Sequence, residues 1–127
     1  MGTGRTGPAP IYVLKADFFR ALGHPARIRL LQLLRDGERT VGSLQEALEL
    51  DSSGTSQHLG ALRKQGLVAS RREGTNVYYR VKDSRTLDLL ELAKRILTAG
   101  LEENRLLLDD LAVEDFGPPT RASQGPR

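Results

Sequence analysis

The sequence predicts a mainly α chain with one small β-hairpin, an α+β class. Three observations predict it. Apolar residues recur at spacings of three and four over most of residues 10–112. The spacing drops to two only across residues 67–82, around a Gly- and Asn-containing turn. A last helical stretch then runs to about Ala112, longer than a small core needs.

The first helix, residues 10–22, carries Leu14, Phe18 and Leu22 at i, i+4 and i+8, one stripe of a helix. "GHP" at 23–25 ends it and opens the next, with Pro25 suited to the first helical position, where its missing N–H costs nothing. The second helix, "PARIRLLQLLRD", turns Ile28, Leu31 and Leu34 inward and closes at Gly37. Thr40 is placed to cap a short third helix through Leu48, with Leu44, Ala47 and Leu48 apolar. Asp51 is placed to cap a fourth, ending at Gly66. "LVASRRE" and "NVYYRVK" then flank "EGTN" as a hairpin, Gly74 and Asn76 supplying the turn. Ser84 is placed to cap the final helix, which at 1.5 Å per residue is roughly 43 Å long.

A helix-turn-helix followed by a β-hairpin is a winged helix-turn-helix arrangement. Residues 10–112 are expected to form that domain, its first and last helices serving as a dimer interface. Residues 1–9 and 113–127, rich in Gly, Pro, Ser and Thr, are expected to be disordered tails.

Composition narrows the function. The chain has 127 residues, with 39% hydrophobic residues and no cysteine, so disulfides, thiolate metal sites and thiol switches are excluded. No run of about 20 apolar residues and no signal pattern is present, which predicts a cytoplasmic protein without a membrane partner. Charge is uneven. Residues 52–82 hold six basic residues against one acidic, while residues 83–116 hold four basic against nine acidic. A basic centre suggests a polyanionic partner, although solvated basic surfaces are common. No Gly-rich phosphate loop, nucleophile–base pair or metal cluster points to an enzyme.

On a helical wheel with Ser53 at 0°, Thr55, Leu59 and Leu62 fall at about 200°, 240° and 180° and define a buried side of the fourth helix. Ser53, Ser56, Gln57, Gly60 and Lys64 cluster opposite, with Arg63 flanking. Serine and glutamine can read base edges, Gly60 permits close approach, and Arg63 and Lys64 can neutralise phosphate. Any amphipathic surface helix has a polar outer side, so the neighbouring elements matter. Arg71, Arg72 and Asn76 at the hairpin tip are expected to reach phosphates or a minor groove. Edge-strand arginines that discourage aggregation are the alternative. A protein-interaction module using this fold without DNA would carry an apolar or acidic face on residues 53–64.

Two stretches, "FFRALGHPARIRLLQLL" and "TSQHLGALRKQGLVASRREGTNVYYRV", resemble the ArsR/SmtB family of bacterial winged-helix repressors over roughly residues 14–112. The resemblance implies a homodimer bound to a near-palindromic double-stranded DNA operator. Leu14 and Phe18 of the first helix and Leu90, Leu97, Leu101 and Leu108 of the last are the expected interface. The last helix supports this independently, because its apolar seam is too long for a small domain to cover.

Family sensors carry a Cys-x-Cys pair where this chain has Thr40 and Gly42, and an Asp-x-His start on the last helix where it has Asp83 and Arg85. Both implied metal sites therefore lack ligands, and no cofactor is expected. His24 is expected to cap or pack at a helix start and His58 to pack at the edge of the core. Carboxylates such as Asp83, Glu102, Glu103, Asp109 and Asp110 could hold a hard ion, but an acidic run is more often solvated. The expected function is a homodimeric repressor that does not sense metal through either family site and is relieved by a partner protein or another inducer. The alternative is a co-regulator or activator depending on a partner or on a non-standard nickel or zinc site.

Overall fold

The structure is a computed structural model and describes residues 7–49 and 52–112. The expected cap Asp51, residues 1–6 of the first tail and all of the second lie outside the described residues. The order is α1 (Ile11–Leu22), α2 (Pro25–Leu33), β1 (Arg39–Thr40), α3 (Val41–Leu48), α4 (Ser52–Lys64), β2 (Val68–Glu73), β3 (Asn76–Val81) and α5 (Arg85–Ala112). One compact unit ends at Ser84 and a second begins at Arg85.

Local chemistry sets the helix ends. The Nδ1 of His24 accepts from the N–H of Ala26 at 3.1 Å, so His24 caps α2 directly ahead of Pro25. The hydroxyl of Thr40 accepts from the N–H of Ser43 at 3.1 Å and caps α3. α3 closes at Glu49 with φ 57°, a left-handed position that costs a non-glycine residue roughly 1 kcal/mol. α4 stops through paired bonds, Leu67 N–H to the Leu62 carbonyl at 2.9 Å and Gly66 N–H to the Arg63 carbonyl at 2.9 Å. That Schellman geometry needs a left-handed residue, and Gly66 supplies it at φ 75°. α2 ends at Leu33, earlier than the expected close at Gly37; a turn over 34–36 fills the gap before Gly37.

The core of the first unit is Ala21, Leu22, Leu30, Leu31, Leu34, Leu44, Leu59, Leu62, Leu67, Val68 and Thr55. Leu30 is fully buried although the expected stripe of α2 omitted it, while Ile28 is only half-buried. A short helix enclosed on more than one side buries adjacent residues, which a single-stripe reading misses. Ala47, expected among the apolar residues of α3, is exposed.

The sheet has three strands in the order β1-β3-β2, where the sequence suggested a two-stranded hairpin. β1 pairs antiparallel with β3 through Arg39↔Tyr79 and Thr40↔Tyr78. Two residues are too few to leave an alternation signal. Asn76 is not a turn residue: it opens β3 opposite Glu73, and the turn is Gly74-Thr75. Gly74 has φ 64° and Thr75 stays at negative φ, the pattern of a type II′ turn with glycine first.

α5 is a 28-residue helix. Leu97 and Leu101 are about two-thirds exposed on it, and Ile96, Leu106 and Leu107 are nearly as open. Among the described residues no helix is long and apolar enough to cross a membrane.

Candidate nucleic-acid interface

α4 divides as its sequence demands. Thr55, Leu59 and Leu62 are fully buried. Ser53, Ser56, Gln57, Gly60, Arg63 and Lys64 are all exposed. A Cβ added to Gly60 would meet nothing within 4 Å. The protein's own packing therefore does not demand glycine there, and a glycine inside a helix costs about 1 kcal/mol relative to alanine. The position leaves open backbone in the middle of a polar face.

The wing puts its arginines to different uses. Successive side chains of a strand point to opposite faces, so Arg71 and Arg72 cannot serve one surface alike. Arg71 stands opposite Tyr78 in register, and its guanidinium lies over that ring, 4.5 Å from the centroid. From there its Nε–H and Nη2–H donate to the two oxygens of Glu38, each at 2.8 Å. Its Nη1–H donates to Glu73 at 2.9 Å. These bonds raise the Arg71 pKa, the bond to Glu38 contributing most. They lower that of Glu38, with the bond from Arg71 as the main cause. All three guanidinium nitrogens are thus engaged with Glu38 and Glu73; the sequence reading had Arg71 reach phosphates or a minor groove. Arg72 and Asn76 are exposed near the tip.

Charge pairing across 33 residues leaves no local pattern, so Glu38 carried no signal as a partner of Arg71. A second feature also escaped sequence reasoning. A cleft of about 170 Å³ is lined by Asp17, Arg20 and Ala21 of α1, Arg27 of α2, and Ala61, Lys64 and Gln65 at the end of α4. It adds Arg20 and Arg27 to the basic surroundings of Lys64, although Arg20 is paired with Asp17 at 2.6 Å.

The two α3 positions compared with the family's cysteine pair are Thr40 and Gly42. The Thr40 oxygen is committed to the α3 cap and Gly42 has no side chain. Among the described residues no three His, Cys, Asp or Glu side chains come together as a metal cluster. His24 caps α2, and His58 is half-buried at the edge of the core, as expected.

The residues expected to form a dimer interface are open to different degrees. Leu14 of α1 is about half exposed and Phe18 half-buried. On α5, Leu97 and Leu101 are exposed, Leu108 less so, and Leu90 is half-buried.

Residues 24–70 match the family described as "Bacterial regulatory protein, arsR family". The HTH-type transcriptional regulator Rv0081 of Mycobacterium tuberculosis is 44% identical over 103 residues, 80% of this chain and 90% of its own length. The crystal structure of Rv0081 superposes with a TM-score of 0.70 at 43% identity, covering 76% of this chain and 98% of that one. The biofilm growth-associated repressor of Agrobacterium fabrum is 38% identical over 89 residues, 70% of this chain and 75% of its own length. A solution structure from Mycobacterium bovis, the homodimeric winged helix-turn-helix DNA-binding domain of Mb0332, has a TM-score of 0.67 at 31% identity. It covers 78% of this chain and 95% of that one.

Proposed function

The chain belongs to the arsR family of bacterial regulatory proteins, and from that premise we propose that it is a homodimeric, sequence-specific DNA-binding repressor whose α4 reads a major groove. The observation that carries this reading is the face of α4. It is small and polar, it surrounds the open backbone of Gly60, and it lies opposite fully buried Thr55, Leu59 and Leu62.

In this reading Gln57, Ser53 and Ser56 contact base edges, and Arg63 and Lys64 at the end of the helix take phosphates. Arg72 and Asn76 supply the wing's contact. Arg71 serves the interface indirectly, by holding the hairpin to Glu38, the residue before β1. The exposed leucines of α5 and the apolar residues of α1 form the contact with a second copy, for which the homodimeric M. bovis domain is the precedent. Two copies would set two recognition helices one helical turn of DNA apart, about 34–36 Å. A DNA-binding role places the protein in the cytoplasm. The name of the A. fabrum relative supports the repressor reading. Neither metal site of the family's sensors contributes to its response, because their ligands are replaced.

The test selects DNA fragments from a random pool with the full chain, then measures affinity for the winner and for scrambled DNA. A specific regulator prefers its fragment by about 10³-fold or more, and one dimer protects two symmetric half-sites. Equal affinity for both DNAs would remove the reading. Transcription from a promoter carrying the fragment must fall when the protein is added; a rise would make it an activator.

A further inference from the structure

The chain's only two histidines meet, and one of them sits on α4. The rings of His24 and His58 lie 4.2 Å apart between centroids, tilted by 52°. The His24 Nδ1 accepts from the Ala26 N–H at 3.1 Å. The His58 Nδ1 accepts from the Arg27 Nε–H at 3.2 Å. A ring nitrogen that accepts carries no proton, so the His58 imidazole, as an acceptor from Arg27, is neutral with its proton on Nε2. Protonation at Nδ1 would abolish either bond. Protonating His58 would set an imidazolium against the Arg27 guanidinium.

The surroundings do not relieve that charge. The groups whose charge is felt at His58 are His24 and Arg27. Helix α1 brings the Ala21 carbonyl, which accepts from Arg27 at 3.4 Å. Further along the cleft it brings Asp17 and Arg20, which pair with each other. Helix α4 itself adds Lys64 at the cleft. Helix α3 and strand β2, also packed on α4, bring no charge felt at His58 among the described residues.

We infer that the His24–His58 contact is a proton-operated latch on the recognition helix: it fastens α4 to the first turn of α2 while His58 is neutral, and protonation of His58 in acid releases it and weakens DNA binding. Burial, followed by the charges of His24 and Arg27, holds His58 below its ordinary value of 6.5. The folded chain therefore binds fewer protons there than the unfolded one. The latch contributes its full stability above pH 6.5 and loses it as pH falls through the lowered folded value.

This inference rests on α4 being the DNA-reading helix. Its sign separates it from simple electrostatics, because acidification alone adds positive charge and tightens binding to DNA. The deciding comparison is between the natural chain and His24→Asn/His58→Gln. Asparagine can still cap α2, glutamine can still accept from Arg27, and neither titrates. Affinity for the selected fragment is measured by fluorescence anisotropy at pH 7.5 and 5.5 and one ionic strength. Amide exchange over residues 52–64 is followed without DNA, corrected for intrinsic rates. The natural chain is expected to lose about tenfold in affinity, and the variant less than about twofold. Exchange protection of residues 52–64 falls at pH 5.5 in the natural chain alone. Unchanged or tighter binding by the natural chain in acid overturns the latch, as does an equal loss in the variant. If neither chain binds DNA at pH 7.5, the functional reading fails. The exchange comparison then still decides the latch, and equal protection at both pH values overturns it. Should the double variant not fold, His58→Gln alone serves as the comparison.

Discussion

Arg71 of β2 reaches across the middle strand of the sheet, over the ring of Tyr78, and closes on both carboxylate oxygens of Glu38 at 2.8 Å. The wing is thereby tied to the segment that leads into α3, from the side that faces away from Arg72. Two neighbouring arginines with one charge each are expected to behave differently when removed. Arg72→Ala lowers the slope of log affinity against log salt by about one, the signature of a lost phosphate contact. Arg71→Ala leaves that slope unchanged but reduces exchange protection across residues 68–81. Binding titrations at several salt concentrations separate the two; a lowered slope for Arg71→Ala would return it to the phosphate.

The same pair gives the wing a dependence on acid. Glu38 is held below its ordinary carboxylate value of 4.5, chiefly by the bond from Arg71. A depressed folded value means the contribution is present above pH 4.5 and lost as pH falls through the folded value. Wing protection followed from pH 6 to pH 3 is expected to step down in the natural chain. Glu38→Gln shows no such step and starts from the lower level.

Gly60→Ala trades stability against binding. The added methyl meets nothing in the protein, and alanine is the better helix former, so thermal unfolding should show a gain of up to about 1 kcal/mol. The same methyl stands in the middle of the side proposed to face DNA, so affinity is expected to fall. A variant that is more stable and binds DNA as well as the natural chain would show that nothing approaches α4 closely at Gly60.

Gln57 is exposed and lies one residue before His58, on the outer side of α4. If it reads a base, Gln57→Ala relaxes preference at one operator position by about 1–3 kcal/mol and leaves the other positions intact. Competition with single-base variants of the selected fragment measures this. Uniform weakening at every position would reassign Gln57 to positioning.

Leu97 and Leu101 are about two-thirds exposed on α5. In a dimer they are covered, and a charge there would be buried without a partner. Leu97→Glu/Leu101→Glu is expected to sediment as a monomer and to lose cooperative occupation of two half-sites, while the first unit keeps its fold. A variant that remains dimeric would move the interface elsewhere.

Much of this was legible in the sequence because it is written at short range. Caps need particular side chains within three residues of a helix start, so Thr40 could be placed from its spacing and the structure bears it out. The sides of α4 follow from a fixed 100° advance per residue, so the burial of Thr55, Leu59 and Leu62 was readable before any coordinates. Gly74 was readable as a turn residue, but Asn76 was misplaced by one step of register. Turn length is settled by strand pairing, and the letters "EGTN" allow more than one register.

By itself, then, the sequence determined the order of the helices and of the hairpin and the polar face of α4, because each depends on residue type and near-neighbour spacing. Only the tertiary structure decided which charges and rings find partners. Arg71 meets Glu38 33 residues away, and His58 meets Arg27 31 residues away. β1 becomes a strand only because β3 lies beside it. Long-range pairs of this kind exist once the core has closed and the separate elements share a surface, and no local pattern records them.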